Sequence, residues 1–462
     1  MPTPSPAPSP PVEPVRQRCV LVLPSTGEFD SRTYRIARTL HERGHDVTVV
    51  ARWKAGLARE EIHPIGYRIQ RVDADTLDGI PLVGGVLREV VRGLRRRRRA
   101  SSPAGAGSPS ATNGTTAGWA HPVASEAPPS RAGRLAESIL RRVRIFLMLR
   151  SHRRNALRQA PAADIYHGMA YMGIGVALAL GRRHGGKVLY DSRDIYMVAA
   201  NLAKLRGPAK WLLARAEKRW AQAADRVLTV NVPYAEELAR RFDVPMPLVV
   251  MNCSYRFTPP EPRERRFHEA LGLTPETRVV LYQGGFSPER GIEELVKAIH
   301  QVPNAALVCM GYGVLEPKLR DWAAEPRNAG KLYVLPAVDP TEVIPWVACA
   351  DVVGALFQPT TLNHRLSTPN KFLEAMAAGV PTVVSDDPGM APIARDAGCG
   401  IPVDPLDIDA IAAAIRTILD APEDERRAWR ERALAAAHDR YNWETQVQGL
   451  LEEYARLTGK PW

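Results

Sequence analysis

Two short stretches of this chain carry the residue types that could hold a phosphorylated ligand. In residues 284–291, GGFSPERG, Gly284 and Gly285 follow an apolar run and precede a helical pattern that opens near Ile292. Glycine lets backbone amides approach a ligand closely, and a helix N-terminus carries partial positive charge, so this loop suits a phosphate. Arg290 would add a full charge. A plain strand-to-helix turn with a solvated arginine fits the same residues. In residues 369–389, PNKFLEAMAAGVPTVVSDDPG, Pro369 stands where a helix can begin, Asn370 and Lys371 fall in its first turn, and Glu374 lies one turn from Asn370. A carboxylate there, at the mouth of a sheet beside a phosphate loop, could accept both hydroxyls of a ribose. As bare chemistry, a surface glutamate on an amphipathic helix fits equally well.

Other candidate chemistry is thinner. Gly311-Tyr312-Gly313 follows a strand-like run, but any tight turn after a strand uses glycine. No GxGxxG stands before a suitably spaced acid, which argues against a dinucleotide oxidoreductase. Asp386-Asp387, before Pro388-Gly389, reads as loop chemistry and not as a metal pair. The five cysteines, Cys19, Cys253, Cys309, Cys349 and Cys399, include no CxxC. They suit a reducing compartment, read as buried small hydrophobes, and offer no metal cage. No metal or resident cofactor is expected.

The elements that must position these residues alternate regularly. Residues 19–23 (CVLVL) make an apolar run of strand length, residues 32–43 a helical stretch, and residues 46–50 (DVTVV) a second strand. Further strand runs follow at residues 165–167, 187–191, 226–230 and 247–252, with helices between. Residues 259–266, PPEPRERR, read as a linker. A second series then begins, with strands expected at residues 279–283, 305–310, 332–336, 351–357 and 381–385. Continuous apolar strands alternating with amphipathic helices require a parallel sheet covered on both faces. The fold class is therefore α/β, with two doubly wound, Rossmann-like parallel-sheet domains facing a central cleft, where ligands bind in such folds. The expected division is a disordered proline-rich tail at residues 1–17, a first domain at 18–260, a second at 265–440, and a terminal helix at 441–462 packing back towards the first. A basic low-complexity insertion of about residues 92–133 interrupts the first domain.

Across 462 residues, 45% are hydrophobic and 24% charged, which is ordinary globular composition. No apolar run reaches the length of a membrane span, and the proline-rich start has no signal-peptide pattern, so a cytoplasmic location is expected. The net charge of +12 is concentrated: residues 92–154 hold fourteen arginines against two glutamates, leaving the remainder neutral. Nucleic acid is accordingly not an expected partner. A basic run at residues 95–99 and a helical pattern at 134–150, RLAESILRRVRIFLMLR, suit an anionic membrane surface. A domain helix covering the sheet behind a solvated loop suits them too. Arginine outnumbers lysine 52 to 10, which points to a GC-rich bacterial genome.

Taken together, YQGGFSPERGIEELVKAI, LVCMGYG, LPAVDPTEVIPWVACADV and PNKFLEAMAAGVPTVVSDDPG, in this order and spacing, resemble the donor half of glycosyltransferase family 4, which has the GT-B fold. More loosely, DIYHGMA, KVLYDSRDIY and ADRVLTVN resemble its acceptor half. The resemblance implies a metal-free transfer of a sugar from a nucleotide sugar to an acceptor hydroxyl, with retention at the anomeric carbon, in polysaccharide or glycoconjugate biosynthesis. It makes Glu374 the ribose-holding second glutamate of the E-x7-E motif and Arg290 the basic residue on the donor diphosphate. Gly284, Gly285, Asn370 and Lys371 complete the donor side, with Arg290 and Lys371 stabilising the leaving group. Asp30, Arg32 and His167 are expected at strand ends facing the acceptor, which could be a glycan, a lipid-linked sugar or a small molecule. The chain departs from the pattern at Leu366, where the first glutamate would stand, at Gly285, where another arginine is common, and at Met169, which replaces the second histidine of H-x-H. Lys371 or Arg365 could replace the missing arginine charge. The alternative function is a non-catalytic nucleotide-sugar or polyanion-binding protein of the same fold.

Overall fold

Apolar runs become strands wherever helices can cover both of their faces. In this computed structural model, which describes residues 16–28, 30–74, 131–203 and 205–462, they build two sheets. The strands of the first are β1 (Arg18–Val22), β2 (Asp46–Arg52), β3 (Glu60–Ile62), β4 (Arg68–Val72), β5 (Ile165–Met169), β6 (Lys187–Asp191), β7 (Arg226–Thr229) and β8 (Leu248–Val249), in the order β3-β4-β2-β1-β5-β6-β7-β8. Those of the second are β9 (Arg278–Gly285), β10 (Ala305–Tyr312), β11 (Leu332–Pro336), β12 (Val352–Ala355), β13 (Thr382–Ser385) and β14 (Gly400–Val403), in the order β11-β10-β9-β12-β13-β14. Every pairing recorded in the second sheet is parallel. Three strands were not anticipated. β3 and β4 pair antiparallel at an edge, where the polar residues Glu60 and Glu61 hide the strand signal, and β14 contains Pro402.

The described chain divides into two compact units. One comprises the described residues up to Tyr190 together with Ala223–Asp225 and Leu451–Trp462; the other comprises Asp191–Gln222 and Arg226–Leu450. The expected linker at residues 259–266 lies inside the second unit. In the first unit, Leu451–Trp462 is tied down by three contacts: Tyr454 Oη lies 2.6 Å from His167 Nδ1, Lys460 Nζ 3.0 Å from Asp164 Oδ1, and the Trp462 carbonyl accepts from Arg43 at 3.2 Å.

The helix expected at residues 134–150 runs from Arg131 to Gln159. Met148, Ser151, His152 and Ala156 are buried at helical spacing, so this end of it covers the sheet as a domain helix. The basic run at residues 95–99 and the low-complexity stretch lie outside the described residues. All five cysteines are buried and free. Among the described residues, no helix is long and apolar enough to cross a membrane.

Candidate functional site

At the carboxyl end of β9 the second unit holds a pocket of about 400 Å³, a size usual for small-ligand sites. The parallel strand delivers Gln283, Gly284 and Gly285 to its mouth. Gly284 has φ 111°, and open space lies where a side chain would start. Both glycines are exposed, so their backbone is accessible to a ligand. The following helix, Ile292–Ala298, starts at Gly291 with φ 71°, where a side chain would collide with Leu356. That close approach sets Arg290 against the pocket wall, its guanidinium 4.1 Å from the centroid of the Phe357 ring.

The second helix at the pocket, Asn370–Ala377, follows the extended Pro369 and turns Asn370, Lys371 and Glu374 to the pocket. Lys371 is 8% exposed, and its Nζ lies 3.3 Å from the centroid of Tyr282 with no hydrogen-bond partner among the described residues. Burial pushes its pKa well below the ordinary lysine value, and the Arg290 charge adds to this while Glu374 opposes it. Gln283 Nε2 donates to Glu374 Oε2 and to the Lys371 carbonyl, both at 3.3 Å. The pocket thus combines a guanidinium and a lysine amine on aromatic faces, a carboxylate oriented by an amide, and exposed backbone. That arrangement is suited to an anion carrying neighbouring hydroxyls.

All six expected donor-side residues, Gly284, Gly285, Arg290, Asn370, Lys371 and Glu374, line this one pocket. The expected acceptor-side residues lie in the first unit, and two of them, Arg32 and His167, are placed differently from the expectation. Asp30 caps the helix Ser31–Glu42, its Oδ1 accepting from Thr33 N at 2.9 Å. Arg32, expected at a strand end, lies in the first turn of that helix at 1% exposure, and His167 is fully buried within β5. Both are core side chains as the structure stands. Asp30 does line a hollow of about 30 Å³ with His63 and Tyr67, room for about one water molecule.

Leu366 does not line this pocket, and Arg365 does not supply its charge: Arg365 is exposed and lies 3.6 Å from Asp387. The wall there is held by amides that sequence reasoning missed. Asn231 Nδ2 donates to the Leu366 carbonyl at 2.7 Å and to Thr368 Oγ1 at 2.9 Å, and Thr368 Oγ1 donates to the Gly389 carbonyl at 2.5 Å. Asn363 Nδ2 donates to Asp194 Oδ1 at 3.0 Å, while its Oδ1 accepts from Ile195 N at 2.8 Å and from Tyr234 Oη at 2.9 Å. Burial pushes the Asp194 pKa up, and the Asn363 hydrogen bond partly offsets it. Arg193 and Tyr234 line the pocket as well. The place of Arg193 just beyond strand β6, in KVLYDSRD, was the signal available for it. Among the described residues, no group of three or more His, Cys, Asp or Glu side chains could hold a metal ion.

Residues 29–254 match the family described as Glycosyl transferase 4-like domain, and residues 263–435 match Glycosyl transferases group 1. A D-inositol 3-phosphate glycosyltransferase of Xylanimonas cellulosilytica is 28% identical over 258 residues, covering 52% of this chain and 59% of the relative. A GDP-mannose-dependent monoacylated alpha-(1-6)-phosphatidylinositol monomannoside mannosyltransferase of Corynebacterium glutamicum is 30% identical over 202 residues, covering 42% of this chain and 51% of the relative. The chain therefore spans between half and three-fifths of the length of these relatives. Among solved structures, sucrose-phosphate synthase from Thermosynechococcus elongatus superposes with a TM-score of 0.68 at 18% identity, covering 96% of this chain and 100% of the other. The Anabaena protein HepE in complex with UDP-glucose does so with a TM-score of 0.61 at 14% identity, again covering 96% and 100%.

Proposed function

We propose, for a chain that belongs to the family 4-like glycosyltransferases and has the GT-B fold, that it moves a sugar from a nucleoside-diphosphate sugar to an acceptor hydroxyl with retention at the anomeric carbon. The observation that carries this reading is the convergence of Lys371, Arg290, Glu374 and the exposed glycines in one pocket. Glu374 would accept hydrogen bonds from the ribose hydroxyls. Arg290, Lys371 and the amides of Gly284 and Gly285 would meet the diphosphate. As the sugar leaves, negative charge grows on the departing oxygen, and fixed cations held out of water stabilise it without reorganising. In this reading side chains and backbone supply the countercharge, not a metal ion.

For the acceptor, the reading is a lipid-linked or membrane-proximal glycan at the inner face of a bacterial cell membrane. The phosphatidylinositol-linked substrate in the name of the Corynebacterium relative supports it, as does the concentration of the +12 charge in residues 92–154. Of the residues expected on the acceptor side, Asp30 has the most suitable position, at a hollow of the first unit. The free, buried cysteines are in keeping with a cytoplasmic enzyme.

The test is a thermal-shift screen of nucleotide sugars followed by donor hydrolysis without acceptor. A ligand at a hundred times its dissociation constant stabilises by about 2.7 kcal/mol, which is readily seen. No shift with any uridine or guanosine diphosphate sugar would sink the donor reading. A shift without hydrolysis, and without transfer to any acceptor, would favour the non-catalytic binder, the reading to which Leu366 in place of a carboxylate lends weight.

A further inference from the structure

The helix Pro208–Ala223 presents an unusual outer face. Its inner residues Leu213, Glu217 and Ala221 recur every four positions and are buried. On the outer side Trp211 is 59% exposed and Leu212 is 49% exposed. Arg215 and Arg219 continue the row from Trp211 at four-residue intervals, both exposed, and the Arg215 guanidinium carbon lies 5.6 Å from the Trp211 ring centroid. Exposed Arg206 precedes the helix, and Lys210 and Lys218 flank the row, Lys218 at 3.8 Å from Asp243. Glu217, the one acid of this helix, is 2% exposed, so the helix turns cations and no carboxylate of its own outward.

One exposed apolar side chain is ordinary on a soluble protein. An adjacent tryptophan and leucine bordered by arginines form a more specific combination. Indole favours the boundary between headgroups and acyl chains, and guanidinium groups pair with phosphate. We infer that this helix face docks on an anionic lipid surface, with Trp211 and Leu212 entering the headgroup boundary and Arg215 and Arg219 meeting lipid phosphates. Charge complementarity selects this occupant, since a neutral surface would leave the arginines without partners. The inference uses no residue of the donor pocket and none of residues 75–130, so it stands or falls separately from the donor reading.

A probe at Leu212 tests it. Because all five native cysteines are buried, Leu212→Cys in the full chain can be labelled selectively with an environment-sensitive fluorophore. Vesicles of phosphatidylcholine with phosphatidylglycerol should shift its emission to the blue, while phosphatidylcholine alone and single-stranded RNA should not. In unlabelled protein, Arg215→Ala and Arg219→Ala should each weaken co-sedimentation with the anionic vesicles roughly fivefold at low salt. Trp211→Ala should weaken it further at every salt concentration, with UDP-sugar thermal shifts unchanged in all three variants. Anionic vesicles that bind the labelled protein without a blue shift would overturn the inference, because another segment would then carry the contact. Failure of the intact protein to bind vesicles would overturn it too, as would an equal shift with RNA.

Discussion

Asn231 holds the backbone of Leu366: its side-chain amide donates to that carbonyl at 2.7 Å, across 135 residues of sequence. The position where the E-x7-E pattern has a carboxylate is therefore fastened through its main chain, and the same amide also reaches Thr368 in the pocket wall. Asn231→Asp is the informative substitution. Its carboxylate can still cap the helix Val232–Phe242 as Asn231 Oδ1 does for Tyr234 N, but it cannot donate to Leu366 or Thr368. The variant should lose about 1–3 kcal/mol of stability in denaturant unfolding and bind nucleotide sugar more weakly. Unchanged stability and affinity together would show that the wall does not depend on this amide.

Glu374 and Arg290 should separate kinetically. Hydrogen bonds to a charged group are worth about 1.5–3 kcal/mol each, so Glu374→Ala should lower donor affinity by roughly tenfold or more in calorimetry. Arg290→Ala should act chiefly on turnover, because charge on the leaving diphosphate grows towards the transition state. An Arg290→Ala enzyme with normal kcat and only a raised KM would contradict that role.

Lys371 should make donor binding proton-linked. Burial lowers its pKa well below the ordinary lysine value of 10.5, and a bound diphosphate favours the charged form. Between the free-pocket pKa and the higher bound pKa, each binding event should take up a proton. Calorimetry in buffers of different ionisation heat reads this directly, and Lys371→Met should abolish the buffer dependence. Stability should follow the same group. Above the lowered folded pKa and below 10.5 the unfolded chain holds the extra proton, so stability rises with pH through that window. Lys371→Met should flatten that rise.

His152 should weaken the fold in acid. Its ring is fully buried, neither nitrogen has a hydrogen-bond partner among the described residues, and burial pushes its pKa from 6.5 to about 4. Between those values the unfolded chain binds the proton and the folded one does not. Stability should therefore fall as pH drops from 6.5 towards 4, by on the order of 3 kcal/mol over the window. His152→Leu should remove this component, and chemical unfolding at a series of pH values gives the comparison. An identical pH slope in the two proteins would place the acid sensitivity elsewhere.

Apolar runs alternating with amphipathic helices determined the parallel strands at the centre of both sheets, because a strand covered on both faces must be apolar throughout. The same local logic grouped the six residues expected on the donor side: Gly284, Gly285 and Arg290 stand at one strand-to-helix turn, Asn370, Lys371 and Glu374 on one short helix, and all six line one pocket. β3 and β14 escaped because edge position and a proline weaken the signal that local pattern carries. Only tertiary structure decided what those residues face. Spacing cannot tell that the Lys371 ammonium lies against Tyr282, that Asn231 and Asn363 pin the pocket wall, or that His167 is directed to Tyr454, 287 residues away. Periodicity is a property of neighbours along the chain. A polar side chain's partner is set by which distant segment packs against it, and so Arg32 and His167, readable as surface chemistry, became core.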